Sequence, residues 1–263
     1  MIVRYARLFA VQLRASVLLT LQYRLDFFVS AVMSLFWMAT ALVPLLVLFQ
    51  QRESVAGWTW PEALVVVAWF SILKGVLEGG VEPALERLVE HIRKGTLDFV
   101  LLKPADAQFL VSTARFEIWK IGDILGGFAI LGWALLELGH LPSLGAILAT
   151  ALLLLGAVVI LYSLWILVVS LAFVVVKIDN LSYLFSSIFD AARWPSSVFR
   201  GPLSFLFTFV IPLAVMTTYP ALAILDRLAP QRVAFALAGA ATFALIARLI
   251  WTRAIGRYTS AGG

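Results

Sequence analysis

Between Leu138 and Val176 the chain carries no Asp, Glu, Lys or Arg. A helix needs about 20 mostly apolar residues to cross ~30 Å of hydrocarbon. This run exceeds one straight span, so it predicts a helix that projects beyond a bilayer or bends. Composition points the same way. Of the 263 residues, 62% are hydrophobic and 13% are charged, against about half and about a quarter in soluble domains. That argues against a water-soluble globule and excludes a disordered chain. Cysteine is absent, which removes disulfides and thiolate metal sites.

Further apolar runs lie at Phe27–Phe49, from Trp60 to about Leu77, from about Trp119 to Leu138, Gly201–Leu225 and Val233–Trp251. The third is interrupted by Lys120, Asp123 and Glu137; the last holds Arg248 close enough to its end to snorkel. Residues 181–225 read two ways. Leu181–Phe189 is apolar but is followed by Asp190, Arg193 and Arg200, and Gly201–Leu225 contains Pro202, Pro212 and Pro220, which break or kink a helix. The region is either an interfacial helix plus one span, or one span plus a re-entrant hairpin. The expected fold is all-α: a polytopic membrane protein with six transmembrane helices, an N-terminal interfacial amphipathic helix, and a re-entrant or broken segment before the last span. It forms one domain over residues 1–263.

Orientation follows from the bases. With both termini cytoplasmic, the inner segments hold all of the 20 Lys and Arg except Arg52, Arg227 and Arg232, as the positive-inside rule requires. The net charge of +5 is thereby assigned to topology, and no nucleic-acid partner is expected. The first apolar run is too long for a signal peptide and no A-x-A site follows, so no cleavable signal is expected. Ahead of it, Arg4, Arg7 and Arg14 share one arc at 100° per residue, while Leu8, Val11, Ala15, Leu18 and Leu19 share another. This predicts an interfacial helix within residues 1–26, resting on membrane lipids.

The loop after the second span is the most informative. Residues 82–95 read EPALERLVEHIRKG. Leu85, Leu88, Val89 and Ile92 form one stripe at helical spacing. Pro83 suits a first turn and Gly95 a stop; Glu82 and Glu86 lie early, Arg93 and Lys94 late, as the helix dipole favours. The spacing predicts a short helix, too charged to span, that lies on the membrane or docks on a partner.

The segment GTLDFVLLKP (95–104), placed after this helix and before the third span, resembles the inner loop of ABC-2 type permeases, in the branch of six-span ABC-2 family transporter proteins. RWPSSVFRGPLSFLFTFVIPLAVMTTYPA (193–221) is also similar to that branch, with Ile211, Pro212, Tyr219, Pro220 and Ala221 in its IP-x6-YPA pattern. The resemblance implies a bacterial or archaeal cytoplasmic-membrane permease that pairs with a second permease subunit, identical or related. Each subunit would bind a cytoplasmic ABC ATPase, which carries the ATP and magnesium. It makes residues 82–95 a coupling helix, with Leu85, Leu88, Val89 and Ile92 as the docking stripe and Arg87 and Arg93 as polar contacts. On that reading a Leu88→Asp, Ile92→Asp double change would uncouple ATPase from transport without preventing insertion. The resemblance also favours the hairpin reading of 181–225.

The chain has no G-x-x-x-x-G-K-[ST] loop, no G-x-S-x-G and no H-E-x-x-H. Its two histidines, His91 and His140, are expected on opposite sides of the membrane. No cofactor, metal or catalytic residue is therefore expected in this chain, which is not an enzyme on this reading. Within the spans, Lys74 and Glu78 stand one turn apart, Lys120 and Asp123 stand three apart, and Asp190 has only Arg193 nearby. These are either a polar relay or local pairs near the membrane surface. Gly122 and Gly126 form a G-x-x-x-G suited to close helix contact. Three functions remain open: an ABC exporter subunit, an ion-coupled secondary transporter using Asp123 or Asp190, and a non-transporting assembly subunit. The cargo is not legible.

Overall fold

The computed structural model describes residues 2–139, 141–173, 183 and 186–258. His140, Lys177, Leu181, Ser182, Leu184 and Phe185 lie outside them. Ile2–Gln22 forms α1 and Arg24–Gln51 forms α2, with a break at Tyr23. Then come α3 (Trp60–Val76), α4 (Glu82–Arg93), the short α5 (Asp98–Leu101) and α6 (Ala107–Ser112), α7 (Ile121–Leu138) and α8 (Leu144–Ser170). Two short helices, α9 (Pro202–Phe205) and α10 (Tyr219–Ile224), precede α11 (Pro230–Ile255). Among the described residues, the one β pairing is an isolated bridge between Val55 and Trp58.

Five helices among the described residues are long and apolar enough to cross a membrane: Arg24–Gln51, Trp60–Arg93, Ile118–Leu138, Leu144–Phe173 and Pro230–Ile255. Residues 202–225 do not supply a sixth. Their helix breaks at Ile211 (φ −118°, ψ 86°), one residue before Pro212, and π turns flank the break at Leu206–Val210 and Ala214–Thr218. Pro212 has no amide hydrogen to continue the helix and forces its predecessor out of the helical region. Hydropathy sees only the apolar composition of this stretch.

The described residues before it run back along α3. Ser186 donates to Glu82, Lys74 binds Asp190, and Ser197 accepts from Trp58 and donates to the Ala56 carbonyl. Arg193 reaches Asp190 beside Lys74, and Ser197, three residues before Arg200, is bonded to the 52–58 turn.

The second span and the 82–95 helix, expected as separate elements, are one continuous helix from Trp60 to Arg93. At 1.5 Å per residue it is about 51 Å long, well beyond the ~30 Å core of a bilayer. Pro83 does not start a new helix. It is absorbed by a π turn at Leu77–Val81, where the Glu82 amide reaches back to the Leu77 carbonyl. Pro83 cannot donate to the Gly79 carbonyl one turn back; the Glu117 amide donates to it instead, at 2.8 Å.

Close packing of α3 on α7 relies on glycines other than the expected pair. A Cβ on Gly127 would sit 2.7 Å from Ile72 Cγ1 and 2.9 Å from the Ala68 carbonyl oxygen. One on Gly75 would sit 2.6 Å from Ile124 Cγ1. Gly122 has nothing within 4 Å, and Gly126 faces only the thioether of Met38 on α2. On the other flank, buried Ala236, Ala240 and Ala247 let α11 lie against α8, where Gly156 meets Leu237. α2 stays peripheral: only Ser34 and Leu45 are buried along it.

Candidate functional site

The π turn rotates Glu78 toward α7 and leaves Lys74 one turn above it. Both Lys74, at 3.5 Å, and Lys120 pair with Glu78. Lys120 also binds Asp123 at 3.1 Å, and Asp123 accepts the Ser34 hydroxyl from α2. Lys74 in turn binds Asp190 at 2.9 Å, and Arg193 reaches Asp190 at 3.4 Å. Asp123, Lys120, Glu78, Lys74, Asp190 and Arg193 therefore form one chain of alternating charge across three segments far apart in sequence. All five expected relay residues belong to it. Asp190, expected to have only Arg193 beside it, has its shortest contact with Lys74.

The chain is closed at one end and open at the other. Lys120 and Asp123 side chains are 11% and 9% exposed, whereas Lys74 and Asp190 are 32% and 39% exposed. Alternation makes such burial tolerable, since each charge has opposite neighbours within hydrogen-bonding reach. All six residues line a cavity of about 760 Å³ between α2, α3, α7 and the 190–193 turn. Its other walls include Met33, Trp37, Met38, Val67 and Phe70. A second cavity of about 700 Å³ lies between α1, α2, α4 and the 114–119 loop. Ser30 and Trp119 line both, so the two adjoin.

The stripe on α4 faces inward. Leu85, Leu88 and Val89 are 0%, 1% and 9% exposed, and share the core that contains Val111, Leu164 and Val169; Ile92 packs against its edge. The expectation that this stripe is a docking surface is corrected by that burial: the neighbouring segments α6 and α8 already cover the apolar face. The exposed face of α4 carries Glu86, Arg87, Glu90, Arg93 and Lys94. Beyond Gly95, whose φ of +65° turns the chain, Phe99 and Leu102 stand 70% and 81% exposed.

This exposed loop is held from behind by Asp106. Its carboxylate accepts the Phe109 amide at 3.0 Å, capping α6, and takes Arg248 of α11 at 2.6 Å. Its own amide donates to the Tyr5 hydroxyl of α1 at 3.0 Å. The Arg248 guanidinium holds the Asp106 carboxyl below the ordinary aspartate range. Sequence reasoning left Asp106 out and gave Arg248 a snorkelling role. The Asp-x-x-Phe spacing ahead of a short helix was the one local sign of a cap. α1 adds further ties, with Gln12 bonded to Leu110 and Thr113 and the Phe116 amide donating to Ser16. Its apolar Val11, Leu18 and Leu19 remain exposed.

The sequence profile described as ABC-2 family transporter protein matches residues 35–262. The chain belongs to the ABC-2 family. Permeases of this family are membrane transport components, not themselves catalytic, that generally work with ABC ATPase subunits. This permease is a multi-pass membrane protein with the IP-x6-YPA pattern placed at the helix break of 211–212 and at the start of α10. No curated protein and no solved structure matches it. Among its described residues no three His, Cys, Asp or Glu converge in a group able to hold a metal ion.

Proposed function

We propose that this chain is the membrane-spanning subunit of an ABC exporter in a bacterial or archaeal cytoplasmic membrane. It pairs with a second permease subunit and has both termini in the cytoplasm. ATP and magnesium are bound by a separate ATPase. The observation that carries the reading is the exposed rim formed by Arg87, Glu90, Arg93 and Lys94 of α4 with Phe99 and Leu102 beyond it. Among the described residues nothing covers these two large apolar side chains at the tip of a charged loop, as expected of a surface that another protein grips. Because α3 and α4 are one rod, a push on this rim moves Glu78 and Lys74 directly. ATP then shifts the permease between two states through the ATPase's differential affinity for them.

The test is co-purification of the chain with the ABC ATPase encoded beside it, followed by the ATPase rate in nanodiscs. Arg87→Glu with Phe99→Ser is expected to abolish capture while leaving the thermal transition of the permease in place. Undiminished capture by that variant overturns the docking surface. The charge chain favours one rival, an ion-coupled transporter using Asp123 or Asp190. That reading requires transport by the purified chain alone under a pH gradient.

A further inference from the structure

The 760 Å³ cavity is amphipathic along its length. Phe49 of α2 meets Trp60 of α3 and Ser34 bonds Asp123, so α2 and α3 pass the cavity in opposite directions, with Met38, Ala41 and Val67 toward the Phe49–Trp60 end and Ser30, Ser34, Lys74 and Glu78 toward the other. One end is therefore apolar and the other charged. Val29, Met33 and Trp37 line the cavity and are also 58%, 46% and 64% exposed on the surface of the bundle. The chamber thus reaches the periphery beside α2, where a chain-like molecule can enter sideways. Its volume is in the range of small-ligand sites.

The charged end selects by balance. The three acids and three bases of the chain cancel, so a ligand with a single net charge leaves one charge uncompensated in a poorly solvated place. A head bearing both signs can instead replace the half-exposed Lys74–Asp190 link, its anion on Lys74 and Arg193 and its cation on Asp190 and Glu78. Phe70 already takes Lys74 and Arg193 over its face, at 5.6 and 5.5 Å. With Trp37 and Trp119 it provides aromatic surface suited to an alkylammonium. We propose that this chamber binds a zwitterionic amphiphile, with its head on the Lys74–Asp190 link and its chain along Met33, Trp37 and Met38. That this ligand is the cargo rests on the permease reading; its binding does not.

The experiment places the full chain in phosphatidylglycerol nanodiscs and measures binding, above empty discs, of three probes of equal chain length. These are dodecylphosphocholine, dodecyltrimethylammonium and dodecyl sulfate. The zwitterion is expected to bind at least tenfold tighter than either ion. Lys74→Met leaves the chain one negative charge in excess and shifts preference toward dodecyltrimethylammonium. Asp190→Asn shifts it toward dodecyl sulfate. Ala41→Trp, on the loosely packed α2, fills the apolar end and removes binding without altering charge. Equal binding of the three probes, no binding above empty discs, or an unchanged order in both charge variants overturns the proposal. Repeating the measurement in phosphatidylcholine discs separates two sources, each consistent with it. Competition identifies a bilayer lipid as occupant, and its absence a free single-chain amphiphile. No ATPase is present, so failure here is distinguishable from failure of ATPase capture.

Discussion

Leu88 separates a packing role for the α4 stripe from a docking role. It is 1% exposed within the main core. Truncation to alanine removes packing contacts that lipid cannot restore, since the surrounding helices relax only partly, and costs about 2–5 kcal/mol. At the lower end that is about a 30-fold fall in the folded fraction relative to unfolded. Leu88→Asp adds an unpaired carboxylate at the same place, a further cost of several kcal/mol. The sum rivals the whole stability of a typical domain, about 5–15 kcal/mol. The expected result is that Leu88→Ala lowers the thermal transition of purified protein by several degrees and that Leu88→Asp yields no monodisperse material. Arg87→Glu, one residue away on the exposed face, leaves the transition within about 0.5 kcal/mol of the parent. Thermal unfolding in detergent, monitored by tryptophan fluorescence, makes the comparison. A Leu88→Asp protein with a normal transition refutes the inward assignment of the stripe and restores it as a surface.

Gly127→Leu is expected to disrupt the α3–α7 contact and abolish folding, whereas Gly122→Leu, with open space around it, is tolerated; expression and size-exclusion profiles decide. Lys120→Met alone leaves Asp123 and Glu78 without their shared cation and should cost about 3–5 kcal/mol. The Lys120→Met, Asp123→Asn pair should recover part of that, and a double-mutant cycle by thermal unfolding measures how much. The Asp106 carboxyl titrates lower in the folded chain than in the unfolded one, so its contribution is complete above about pH 5 and is lost as pH falls through its depressed value. Asp106→Asn should therefore flatten the acid side of the stability profile and detach the 98–112 loop from α11, seen as faster hydrogen exchange there.

The helices that hydropathy finds are those whose apolar run is unbroken, and α2, α3, α7, α8 and α11 fall close to the expected spans. α1 is equally legible, because its arcs of arginine and leucine need no partner to be recognised. Pro83 and Gly95 bracket a helix in the sequence, yet only the bundle shows that Pro83 sits inside a longer rod. A π turn is stabilised there by a hydrogen bond from Glu117, a residue with no local sequence relation to it. Periodicity likewise identifies Leu85, Leu88, Val89 and Ile92 as one face without saying what covers it.

The sequence by itself determined the membrane class, the family and the residue types that carry charge into the spans. An apolar run and a short motif are local properties, readable from neighbours along the chain. Tertiary structure decided that Asp123, Lys120, Glu78, Lys74, Asp190 and Arg193 form one alternating chain, that Gly75 and Gly127 rather than Gly122 and Gly126 seat α3 on α7, and that the α4 stripe is core. Each of these depends on which surfaces of separate helices meet. Pairing energies between distant residues leave no trace in the spacing of either partner alone.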